Sequence, residues 1–122
     1  MKPNDHVTKA RRIEATMVAK LDRDKDYELF LEGYMLASTH LLNAILHKFS
    51  VTREEFDLRH SDMPKLEVPI EATLRPLFEA MKYIEDLRPG YLRGTQAWNA
   101  EDGQRCLERY QRIKRFAEKA LG

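Results

Sequence analysis

Residues 34–49, YMLASTHLLNAILHKF, decide how the rest of the chain is read. Apolar side chains recur through the stretch with no glycine or proline, and it is too long for an ordinary strand, so it reads as a buried helix. Extended upstream to Tyr27, such a helix is roughly 34 Å long and is the natural spine of a small protein. On a wheel of about 100° per residue, Leu31, Tyr34, Met35, Leu41, Leu42, Ile45 and Phe49 share the core side. Glu32, Leu36, His40, Asn43 and His47 line up on a different side. The histidines therefore form a stripe of their own.

Three functions compete for that stripe. It packs against a neighbouring helix or subunit with its polar groups hydrogen-bonded across the contact, it lines a polar cleft that binds or acts on a small ligand, or it faces solvent. A metal held by His40 and His47 alone is not expected, because they sit roughly 10 Å apart along the axis and the usual helical pair is i, i+4. Any metal needs ligands from other helices. With one cysteine, Cys106, and no H-E-x-x-H, neither a metal site nor a cofactor is expected.

The remaining helices follow from the same spacing. Val7, Ala10, Ile13, Met17 and Leu21 predict a first helix over about 6–21, and the polar DRDKD, 22–26, leads into the spine with Asp26 as a candidate cap. Thr52 and Glu55 have the T-x-x-E spacing of a capping box and predict a short helical turn. Pro64, Pro69 and a polar cluster then predict irregular chain. Leu74, Leu77, Phe78, Met81 and Ile84 predict a third helix over about 74–87, with Pro76 in its first turn and RPG, 88–90, ending it. Asn99 and Asp102 are placed to start a last helix carrying Cys106, Leu107, Tyr110, Ile113, Ala117 and Leu121 on one face. Four helices with no convincing strand predict an all-α, up-and-down bundle of four to five helices in a single domain spanning 1–122.

Composition narrows the function classes. Apolar residues are 43% and charged residues 34% of 122, and the net charge is +1. That balance gives no global attraction for nucleic acid or an anionic membrane, so a basic site has to be a local patch. The single cysteine excludes an internal disulfide, and the amino-terminal MKPNDHVTKARR lacks the apolar run of an export signal. No segment approaches the apolar run of a membrane span, so a cytoplasmic setting without membrane contact is expected. The loop RPGYLRGTQAW offers Arg88, Tyr91, Arg93 and Trp98 for stacking on bases and contacting phosphate, or else as a plug at the end of the bundle. On the last helix Arg105, Arg109, Arg112 and Lys119 read as a solvated face or a phosphate track.

The long helix EGYMLASTHLLNAILHKFSV, the following DLRHSDMP and a final helix entered from RPGYLRG resemble small prokaryotic proteins of the HEPN superfamily. The resemblance extends in layout over 13–121 and implies a helical bundle, often a homodimer, whose members bind nucleotides or cleave RNA. Catalytic members carry an arginine, four to six residues, then a histidine, and Arg53 with His60 has that spacing. Glu54 departs from the polar residue that commonly follows the arginine. The expectation is thus a HEPN-like binding or interaction protein, a homodimer with nucleotide, RNA or protein partners, whose ligand site comprises His40, Asn43, His47, Arg88, Tyr91 and Arg93. The alternatives are a metal-independent ribonuclease using Arg53 and His60, and a purely structural interaction module.

Overall fold

The computed structural model describes residues 1–66 and 70–122, and its long elements are α1 (Pro3–Lys20), α2 (Tyr27–Lys48), α3 (Arg75–Leu92) and α4 (Ala100–Leu121). Two single 3-10 turns, Met63–Lys65 and Ala72–Leu74, interrupt the α2–α3 connection, and the described residues contain no strand. The expected all-α bundle is what the chain forms. Pro69 lies outside the described residues.

The centre of the bundle is α2, which packs against α1, α3 and α4, while α3 and α4 pair with each other. All eight of Met35, Leu42, Ile45, Leu77, Met81, Tyr110, Ile113 and Ala117 are buried in one cluster, as their spacing predicts. Phe49 departs from the predicted core side. It is the residue that caps α2, 39% exposed, and its ring centroid lies 6.0 Å from that of Phe116. Where α1 crosses α2, Gly33 lets the helices approach: a Cβ there would lie 2.2 Å from Met17 Sδ.

By length and composition α2 does reach what a membrane span needs, with a mean hydropathy of 1.2, but 72% of that window is buried inside the bundle. Its apolarity is accounted for by its place in the core, with three helices around it.

Helix ends account for two further differences. α3 does not stop at RPG but runs on to Leu92 with Pro89 inside it. Proline's φ is helical, and so close to the end it removes only the bond to the carbonyl four residues back, while Arg93 and Gly94 amides both donate to Pro89 O at 3.0 Å. The extra turn buries Tyr91, whose hydroxyl donates to Asp102 at 2.5 Å and whose ring meets Tyr27 and Trp98. The Tyr91–Trp98 loop therefore plugs the end of the bundle. Asn99 caps α4 as expected, accepting from the Glu101 amide at 2.9 Å, whereas Asp26 precedes α2 without a side-chain cap bond and accepts from the Asp22 amide instead.

Candidate functional site

The far end of α2 closes in a Schellman arrangement. The Ser50 amide donates to His47 O at 3.1 Å and the Val51 amide to Leu46 O at 2.9 Å, with Ser50 at φ 57° in the left-handed position glycine usually takes. This turn sends the chain back along the His40–Asn43–His47 stripe. The helical turn expected from Thr52 and Glu55 is absent, because the Thr52 hydroxyl is spent on His47 Nδ1 at 2.8 Å rather than on a backbone amide.

Asn43, 2% exposed, fastens the returning segment. Its Nδ2 donates to Leu58 O at 2.9 Å and to Thr39 O at 3.1 Å, and its Oδ1 accepts from Leu58 N at 2.9 Å. A half-buried residue outside regular structure thus has both backbone groups satisfied by one amide. The consequence is positional. Asp57, the residue just before Leu58, is held over the stripe.

Asp57 Oδ1 accepts from His47 Nε2 at 2.9 Å and from His6 Nε2, on α1, at 2.8 Å. His6 Nδ1 lies 2.9 Å from His40 Nδ1, and the His6 ring centroid is 5.2 Å from that of His40 and 5.4 Å from that of His47. Three of the four histidines therefore converge. His6 and His47 are 1% and 7% exposed, His40 is half-buried, and the Asp57 side chain is 39% exposed. Hydrogen-bond logic assigns the tautomers: with Asp57 ionised, His6 and His47 carry their protons on Nε2, His6 Nδ1 accepts from His40 Nδ1–H, and His47 Nδ1 accepts from Thr52. His40 Nε2 is left with a lone pair.

The electrostatics agree with that assignment. Partial desolvation raises the Asp57 carboxyl, but the bonds from His47 and His6, the His6 charge and the terminal amine outweigh it and hold it at about 2. Burial, helped by His47 and the terminal amine, lowers the His6 imidazole against the opposing pull of Asp57. His40 is lowered by burial, then by His6 and the nearby Lys9, with Arg12 adding to the effect. A fixed anion thus sits beside His6 and, behind it, His40, two imidazoles whose protonation burial disfavours. One ligand atom from each of His6, His47 and Asp57 lies within 4.8 Å of the other two, and this is the set among the described residues able to hold a cation.

The other sequence candidates sit elsewhere in the network. Arg53 is exposed, and His60 is paired through Nδ1 with Glu85 at 2.7 Å rather than with Arg53. Glu85 also meets Arg88 at 3.4 Å, and Arg88 pairs with Glu32, so Arg88 belongs to a partly buried bridge between α2 and α3. Tyr91 is the plug, and Arg93 is an exposed residue capping α3. Arg105 pairs with Glu101 and Asp102 along α4, and Arg109 lies 4.7 Å over the Tyr83 ring. Cys106 is fully buried, and burial pushes its thiol up to about 12, which removes it as a nucleophile. Sequence reading supplied His40, Asn43 and His47 but missed His6 and Asp57. No spacing rule links residues so far apart, and the available signal was a histidine early in α1 with no apolar reason to be buried. Comparison of the chain with protein-family models, curated proteins and solved structures finds no match in any of the three.

Proposed function

We propose that this chain is a HEPN-like cytoplasmic binding protein that takes a phosphate-bearing ligand, a nucleotide or short RNA, beside the histidine cluster. The observation that carries the reading is the line Asp57–His6–His40, which ends in a half-buried ring with Lys9 and Arg12 near enough to oppose its protonation. Those two cations, with Met1, Asp5 and Thr8, line a surface cavity of about 390 Å³ along α1. That volume suits a nucleotide-sized ligand. Lys9 with Arg12 would supply the charge that a net +1 chain lacks globally, and His40, which does not itself line the cavity, would feel the ligand through those two cations.

A homodimer accompanies this reading. Asn43 and His47 are covered by their own chain, so they do not call for a second subunit, but Leu29 and Leu36 are 59% and 45% exposed one heptad apart. They border an apolar groove of about 380 Å³ with Thr16, Leu21 and Met35, which supports an α2-centred contact. The ribonuclease alternative draws less support, since His60 is engaged by Glu85.

The test is thermal stabilisation and fluorescence anisotropy with a panel of nucleotides and short RNA. Stabilisation that vanishes in the double variant Lys9→Glu, Arg12→Glu and weakens in His40→Ala is expected. No shift with any phosphate ligand would refute the reading, and RNA degradation abolished by His60→Ala would replace it with the enzyme.

A further inference from the structure

Three donor atoms from three separate parts of the chain come together, each within 4.8 Å of the other two. His6 Nε2 comes from the first turn of α1, His47 Nε2 from the last turn of α2, and Asp57 Oδ1 from the segment that Asn43 fastens. Both nitrogens lie 2.8 and 2.9 Å from the same oxygen. Metal bonds of about 2.1 Å to imidazole nitrogen and carboxylate oxygen put two donors about 3.0 Å apart at a right angle and about 3.4 Å apart at the tetrahedral angle. The two nitrogen–oxygen spacings nearly fit the first, the second needs about half an ångström of opening, and the two nitrogens lie within 4.8 Å of each other. Asp57 can supply it, because its side chain stands 39% exposed on an irregular segment.

We propose that His6, His47 and Asp57 form a binding site for a divalent first-row transition-metal ion of the zinc class. The partners behind the rings suit it. A ligating imidazole needs its other nitrogen held, and here His6 Nδ1 meets His40 Nδ1 while His47 Nδ1 meets the Thr52 hydroxyl. Each partner is able both to donate and to accept. When an ion takes the two Nε2 lone pairs, each ring's proton moves to Nδ1, Thr52 turns from donor to acceptor, and His40 accepts at Nδ1 and keeps its own proton on Nε2. No net proton is released from neutral rings. Two imidazoles and one carboxylate select zinc, cobalt, nickel or copper over magnesium and calcium, which favour all-oxygen sites. On the exposed side of Asp57 the terminal amine lies 3.3 Å from Oδ1 and would have to withdraw for a further ligand to reach the ion. His40 is a positioning residue.

The experiment uses the full chain stripped with chelator and titrated with zinc chloride by calorimetry, with melting temperature and cobalt absorption read in parallel. One ion per chain and a raised Tm are expected. Asp57→Asn should weaken binding about 100-fold with an unchanged far-UV spectrum, and His40→Ala about 10-fold, the cost of losing an outer partner. Nitrogen-15 spectra of the wild-type zinc form should show the His6 and His47 protons on Nδ1, a readout independent of any variant's folding. Absence of stoichiometric zinc binding, equal affinity in Asp57→Asn, or His6 and His47 spectra indifferent to zinc would each overturn the site.

Discussion

Replacing Asn43 by alanine should release the segment that carries Asp57. The substitution strands Leu58 N, which donates to Oδ1, and Leu58 O, which accepts from Nδ2, at 2.9 Å each. Leu58 is half-buried, so water recovers part of the loss, and about 1 to 2 kcal/mol per stranded group gives about 2 to 4 kcal/mol. Alanine's better helix propensity returns about 0.5 kcal/mol within α2. A net loss of about 1.5 to 3.5 kcal/mol remains, which for a domain of this size lowers Tm by about 6 to 14 °C. Urea denaturation measures the loss, and amide exchange at Leu58 locates it. A loss below about 0.5 kcal/mol with unchanged Leu58 protection would refute the clamp.

Ser50→Gly should stabilise the chain by about 0.5 to 1 kcal/mol, since glycine escapes the left-handed penalty at φ 57° but has more unfolded entropy to lose; a destabilised variant in urea would contradict the Schellman closure. Leu42→Ala, at a fully buried site, should cost about 2 to 5 kcal/mol, and a loss under about 0.5 kcal/mol would reject the core face of α2. Acid should weaken the fold in two stages. His6 and His40 are lowered from 6.5, so the unfolded chain binds protons first and stability declines as pH falls from 6.5 toward their folded values. Asp57 is lowered from 3.8 to about 2, so its contribution is present above 3.8 and is lost as pH falls toward 2. Stability that is flat or rising from pH 7 to 5 in urea titrations would contradict the first stage.

Periodicity carried the fold because every long helix has an apolar stripe at a 3.6 spacing, and the eight core residues it selects are buried together. Punctuation carried less. Pro89 read as a stop, yet the burial of Tyr91 two residues further on favours continuing the helix. Thr52 read as a cap, yet a buried imidazole offers its hydroxyl a competing partner. The site was half legible for the same reason. His40, Asn43 and His47 share a helix face, which sequence spacing reports, whereas His6 and Asp57 reach them through a helix crossing and a turn closed by a left-handed serine. Asn43 was read as a ligand residue, and its amide is instead the fastening that brings Asp57 into place.

The most direct test of that convergence is a long-range proton–nitrogen-15 correlation of the four histidine rings in the metal-free protein across pH 5 to 8. Fixed Nε2–H tautomers are expected for His6 and His47 at neutral pH, with titration of His6 and His40 below 6.5. Rings of His6 and His47 that average rapidly between tautomers, with His6 titrating at the ordinary 6.5, would contradict it.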